Sequence, residues 1–197
     1  MPLAACFRSS PRKRAPVERE PATRDRIEQF LRELGKRYRG GGRLYLVGGT
    51  QMVFAGFRGQ TEDIDYTVQL EGDHQEFTAA VRSLIRELNI SVEPAGPGDF
   101  IPLPGGWEQR SRFVGRYGRL DVYTFDPVST ALSKIERGSS RDIDDVLALL
   151  DQGIVSIPEL QSAFEAILPR LETESLRVDE YDFRRKFEGL LQLAGER

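Results

Sequence analysis

Apolar residues recur along this chain with two different periods. Ile27, Phe30, Leu31 and Leu34 fall at i, i+3, i+4 and i+7, which predicts a helix from residue 24 that ends at Gly40-Gly41-Gly42. Leu44-Tyr45-Leu46-Val47 is a short apolar run between glycines and reads as a buried strand. A short helical stretch is expected from Thr50 to Ala55, then a turn from Gly56 to Gln60. Ile64, Tyr66, Val68 and Leu70 alternate with Asp63, Asp65, Thr67 and Gln69, which is a strand with two unlike faces. Phe77, Val81, Leu84, Ile85 and Leu88 restore the helical period over 74–88.

Residues 94–106 hold four prolines and four glycines and read as loop. Arg110–Val114 and Arg119–Phe125, separated by Gly115-Arg116-Tyr117-Gly118, read as a hairpin. After Pro127 the pattern is helical throughout, over about 128–136, 141–151, 156–168 and 179–193. The chain is thus of the α+β class. Strands and helices mix over 25–126, and helices alone fill 127–197.

Charge changes the picture at one end. Residues 1–26 carry seven Lys/Arg against three Asp/Glu, net +4, and the remainder carries 21 against 28, net −7. With Pro2, Pro11, Pro16 and Pro21 as well, residues 1–24 read as a disordered basic leader. The alternative is a basic arm for nucleic acid built on Arg12-Lys13-Arg14. No apolar run reaches the ~18 residues of a membrane span and no signal peptide is evident, so a cytoplasmic protein with no membrane partner is expected.

Composition then narrows the chemistry. A single Cys (Cys6) and a single His (His74) exclude an intramolecular disulfide and a Cys/His zinc site. A serine or cysteine hydrolase would have to use His74, which sits at an expected helix start and reads as a surface residue. What remains is carboxylates, Lys, Arg, Tyr and backbone. Asp63 and Asp65, at i and i+2 of a strand, share one face, with Ile64 and Tyr66 turned the other way. Two carboxylates so placed repel unless a cation sits between them, and Mg²⁺ takes such ligands together with substrate phosphates. Gly48-Gly49 at the end of a strand and the start of a helix offers backbone N–H groups to a phosphate. Thr50 adds a hydroxyl there, or serves only as the helix N-cap. Asp121, between Leu120 and Val122, is an unusual strand residue; beside the strand 63–70 it would complete a three-acid set for two metal ions.

These residues, Leu46-Val47-Gly48-Gly49-Thr50, Gly56-Phe57-Arg58, Thr61-Glu62-Asp63-Ile64-Asp65 and Leu120-Asp121-Val122, resemble the polymerase-β-type nucleotidyltransferase superfamily. Lys134 and the run Arg141-Asp142-Ile143-Asp144-Asp145 sharpen the likeness toward bacterial toxin and abortive-infection nucleotidyltransferases. The resemblance covers about residues 27–150. It implies a small mixed β-sheet core flanked by helices, followed by a helical C-terminal part. It implies transfer of NMP from an NTP to an acceptor hydroxyl, on an RNA 3′ end such as tRNA, a protein or a small molecule, with a cognate antitoxin as a possible partner. Gly48, Gly49, Thr50, Arg58, Lys134 and Arg141 would bind nucleotide phosphates. Asp63, Asp65 and Asp121 would hold two Mg²⁺ ions, or Mn²⁺, and Asp121 would act on the acceptor hydroxyl. Asp142 or Asp145 would steady Lys134 or Arg141, or touch the acceptor.

Each residue also has a plainer reading. Arg58 could pair with Glu62 or Asp63, Arg141–Asp145 could be an ordinary helix start, and Trp107 reads as packing before it reads as a base-stacking platform. Two alternatives to transfer stay open: a catalytically inactive partner or antitoxin that retains the fold, and a nucleotide hydrolase that uses water as acceptor.

Overall fold

The computed structural model describes residues 19–175 and 178–196. The basic run Arg12-Lys13-Arg14 and Cys6 lie outside the described residues. Of the expected leader, Ala22–Thr23 form a short strand, β1, and the backbone N–H of Glu20 donates to the Asn89 carbonyl. The described fold therefore begins before residue 25.

Helix α1 (Arg24–Arg37) buries the predicted stripe Ile27, Phe30, Leu31 and Leu34. Strand β2 (Gly42–Leu46) runs into helix α2 (Gly48–Phe54), and β3 (Gln60–Thr61) pairs with β1 ahead of β4 (Asp63–Leu70). Helix α3 (His74–Glu87) starts at Asp73, whose carboxylate caps the Gln75 N–H. A strand that the pattern does not announce follows, β5 (Ser91–Pro94). Within the 94–106 loop only one short 3₁₀ turn forms, at Pro97–Asp99. Helix α4 (Trp107–Arg110) takes up the start of the expected hairpin. The hairpin itself is β6 (Arg112–Tyr117) and β7 (Leu120–Thr124), joined by a tighter turn than expected, with Gly118 at φ +62°.

The helical part comprises α5 (Pro127–Arg137), α6 (Ser140–Asp151), α7 (Ile157–Ile167), α8 (Leu171–Glu174) and α9 (Glu180–Gly195). None of the described helices is long and apolar enough to cross a membrane.

The main sheet is mixed, in the order β5-β4-β2-β7-β6. β2 is antiparallel to β4 and parallel to β7, and β4 is parallel to β5. One sheet face carries Leu44, Leu46, Ile64, Tyr66, Val92 and Val122 into a core shared with α1 and α3. A second apolar core lies within the helical part and takes in Met52 of α2 and Ile101 of the loop.

The two parts are tied by buried polar groups rather than by apolar contact alone. Asp126 caps α5 through the N–H groups of Val128 and Ser129 and accepts from Nε and Nη2 of Arg110, at 2.9 and 2.8 Å. On α2, the Gln51 amide donates to the Phe125 carbonyl and accepts from the Thr130 hydroxyl, each at 2.8 Å. These bonds fix α5, and with it Lys134 one turn beyond Thr130, against the glycine turn that precedes Gln51.

Candidate active site

A cleft of about 360 Å³ opens between the sheet, the C-terminal half of α5 and the start of α6. It is lined by Gly48, Gly49, Asp63, Asp65 and Glu93 on the sheet side, and by Arg58, Lys134, Arg137, Arg141 and Asp142 on the other.

The sheet side follows from strand alternation. Ile64 and Tyr66 are buried in the core, so Asp63 and Asp65 face the cleft, as their spacing predicts. Parallel pairing of β4 with β5 sets Glu93 directly beside Asp65. Burial pushes the Asp65 carboxyl up to about 6; the Gly49 N–H bond opposes this, and the charges of Asp63 and Glu93 add to it. Glu93 is the site residue that the sequence does not announce, because β5 is short and ends in proline. The signal available was only its single apolar–acidic alternation, Val92-Glu93.

The glycines are required by this geometry. Gly48 has φ +53°, and a Cβ on it would stand 2.6 Å from Asp65 Oδ2. A Cβ on Gly49 would stand 2.2 Å from the Thr61 hydroxyl. The Gly49 N–H donates to Asp65 Oδ2 at 3.1 Å. The turn thus holds the Asp65 carboxylate in place and packs too tightly against it for a side chain. Thr50 does neither of the jobs expected of it. It is fully buried on the third residue of α2, its hydroxyl accepts from the Asp65 N–H at 2.8 Å and donates to the Asp63 carbonyl at 3.2 Å. Thr50 pins α2 to the backbone of the Asp63–Asp65 strand, while Val47 occupies the N-cap position.

The opposite wall is a chain of ion pairs. Lys134, 5% exposed, donates to Asp142 at 3.0 Å and to Asp145 at 2.6 Å. Asp145 also takes Arg58 at 2.5 Å, and Asp142 takes the Ser139 hydroxyl at 2.7 Å and Arg137 at 3.3 Å. Burial raises the Asp142 carboxyl, but the Ser139 hydroxyl, Lys134 and Arg137 outweigh it and hold it below the usual carboxylate range. Asp142 and Asp145 thus hold Lys134 between them. Arg58 pairs with Asp145, not with Glu62 or Asp63. Arg141 stands exposed at the cleft edge, 4.0 Å from Glu62.

Asp121 is the expectation that fails. The register pairs it with Arg43, which in turn faces Gln69, whereas Asp65 lies level with Val47. Asp121 shares the face of Asp65 but sits four residues down the sheet, roughly 13 Å at strand rise, and two strands across. Its carboxylate pairs with Arg116 at 2.6 and 2.9 Å, which holds it below the usual range. Level with Asp65 on that side of the sheet stands Phe125, just past the end of β7. Among the described residues, no three Asp, Glu, His or Cys side chains gather as a metal cluster.

Residues 25–188 match the family described as "Nucleotidyltransferase of unknown function (DUF6036)". The chain belongs to that family. The match runs from α1 into α9, so the sheet and both walls of the cleft fall within the nucleotidyltransferase unit. No curated protein and no solved structure matches the chain.

Proposed function

We propose that this protein transfers a nucleoside monophosphate from a nucleoside triphosphate, ATP among them, to an acceptor hydroxyl. The observation that carries this reading is the opposition, across one cleft, of strand-borne carboxylates and helix-borne cations. Mg²⁺ or Mn²⁺ fits Asp63 and Asp65, since such ions bind through one or two carboxylates together with substrate phosphates. Asp65, desolvated beside two like charges, is a carboxylate that a cation would relieve. Bound there, the metal supplies positive charge to the reacting phosphate.

The chain's own residues orient the rest. Gly48 and Gly49 keep the approach to the backbone open, and Arg58, Arg137 and Arg141 line the side toward which pyrophosphate leaves. Lys134 stays fixed between its two carboxylates at the back of that wall. The acceptor oxygen bonds to the α-phosphorus as the bond from that phosphorus to its bridging oxygen breaks. Pyrophosphate departs with the electron pair, and the hydroxyl proton passes to the acidic wall. An RNA or protein acceptor, a cognate antitoxin and a cytoplasmic setting are carried over from the motif resemblance.

Incubating the full chain with labelled NTPs, Mg²⁺ and total RNA tests the reading. Label transfer that Asp63→Asn abolishes is expected. Absence of transfer and of metal-dependent NTP binding, with Asp63→Asn indistinguishable, would overturn it. One observation favours a second reading, that of a catalytically inactive partner protein: among the described residues, no third acid joins Asp63 and Asp65 in a metal cluster. That reading requires co-purification with a partner and no thermal shift on adding Mg²⁺.

A further inference from the structure

Among the described residues, the buried Ser, Thr, Gln, Asp and Lys side chains all bond to a partner in the chain, with one exception, the Thr61 hydroxyl. Thr61 is 7% exposed and closes β3, just before the strand of Asp63 and Asp65. A buried hydroxyl with no bond is costly, and folded chains leave few of them. Its open side is the cleft, which Thr61 lines. The hydroxyl also has a defined place there. A Cβ on Gly49 would stand 2.2 Å from Thr61 Oγ1 and 3.7 Å from Asp65 Oδ2, so the two oxygens flank the same bare face of Gly49. Pairing of β3 with β1, which sets Ala22 opposite Thr61, holds the residue in that position.

The surroundings say what the hydroxyl can bond. It carries one proton to donate, and no carbonyl or carboxylate of the described chain takes it. Asp65 Oδ2 already accepts from the Gly49 N–H, and Thr50 is engaged with backbone on both sides. Arg58, Arg137 and Arg141 line the same cleft, so an acceptor that enters it is favoured when anionic. A phosphate drawn to Asp63 and Asp65 through a divalent cation would approach that face of Gly49, where the hydroxyl can donate to it. Resting on the nucleotidyltransferase reading, we infer that Thr61, and not Thr50, is the hydroxyl donor to the bound triphosphate. The bond orients the phosphates against the carboxylate wall. Thr61 is thus a binding residue and takes no part in proton transfer.

Binding tests this without any need for turnover. The full chain is titrated with Mn²⁺ alone, followed by Mn²⁺ resonance, and with inorganic tripolyphosphate in the presence of Mn²⁺, followed by calorimetry. Thr61→Val keeps the size and the β-branch and removes only the hydroxyl, whereas Thr61→Ser keeps the hydroxyl. Thr61→Val should weaken tripolyphosphate binding by roughly ten- to hundredfold, the range for a hydrogen bond to a charged group. Thr61→Ser should bind tripolyphosphate much as the unaltered chain does. Mn²⁺ alone should bind all three chains alike, which a general loss of fold would not allow. Tripolyphosphate binding unchanged in Thr61→Val would overturn the inference. So would an equal loss in Thr61→Ser, which would make the side chain's shape the cause. A matching loss of Mn²⁺ affinity in Thr61→Val would overturn it too, by giving the hydroxyl a structural role in the metal wall. Absence of Mn²⁺-dependent tripolyphosphate binding in the unaltered chain would instead sink the nucleotidyltransferase reading, and the Thr61 assignment with it.

Discussion

The two walls of the cleft are built in opposite ways. On the strand side, no ion pair among the described residues holds Asp63, Asp65 or Glu93, and Asp65 carries its charge against burial and its neighbours. On the helical side, every buried charge is matched: Lys134 by Asp142 and Asp145, and those two in turn by Arg137 and Arg58. The helical wall pairs its buried charges within the chain, whereas the strand wall sets Asp65 against burial and two like charges. The difference teaches where ligand energy should appear. A metal ion should stabilise the strand side greatly and the helical side hardly at all.

The sharpest way to break the contrast is to unbalance the complete wall. Lys134→Met leaves two buried carboxylates short of their shared cation, at a cost of about 3 kcal/mol by analogy with other broken buried pairs. Denaturant melts should show the loss at neutral pH without any ligand present. A change below about 1 kcal/mol would mean that Arg58 and Arg137 suffice and that the wall is not a closed network.

The incomplete wall should respond with the opposite sign. Asp65 has a folded value of about 6 against an ordinary 3.8, so ionising it destabilises the fold, by on the order of 2–3 kcal/mol above pH 6. That penalty fades as pH falls through 3.8, is absent well below it, where the group is protonated in both states, and grows as pH rises through the interval between the two values. Asp65→Asn should therefore melt at a higher temperature than the unaltered chain at pH 7.5 and at the same temperature well below pH 3.8. The Mn²⁺-induced thermal shift should vanish in this variant. A variant less stable at pH 7.5 would show that Asp65 is already compensated.

The glycine turn links the two walls, and its effect is intermediate. Gly48→Ala places a side chain at φ +53° and 2.6 Å from Asp65 Oδ2. The backbone strain costs about 1–2 kcal/mol, and the carboxylate must also move. Mn²⁺ affinity should fall further than melting temperature does. Equal losses would indicate a turn that serves stability only.

Much of this was readable from residue order, and what was not has physical causes. Period 2 over 63–70 and period 3.6 in the helices announced the sheet core, the face of the aspartates and the buried stripes, because alternation is a local property. Lys134 and Asp142 lie eight residues apart on two helices, so their meeting depends on the left-handed Gly138 between them. Here the resemblance, not the periodicity, brought them together. Thr50 was misread because its partners are backbone atoms of a neighbouring strand, which only pairing reveals. Glu93 was missed because a four-residue strand that ends in proline has too few positions to show a period.

Asp121 is the instructive case, since its sequence setting matched the expectation and only register removed it. A strand residue's face is fixed by parity, but its height on the sheet is fixed by which residue pairs with which. Parity was satisfied, because Asp121 and Asp65 do share a face. Height was not, because Arg43, not Val47, pairs with Asp121. Asp121 is left in a surface pair with Arg116, and such pairs contribute about 0–1 kcal/mol. Asp121→Asn should thus give the smallest effect of the series: stability within about 0.5 kcal/mol, and Mn²⁺ and NTP binding unchanged. If it instead abolished metal binding while Asp65→Asn did not, the register described here would be wrong for the functional state. The strand wall would then have its missing partner after all.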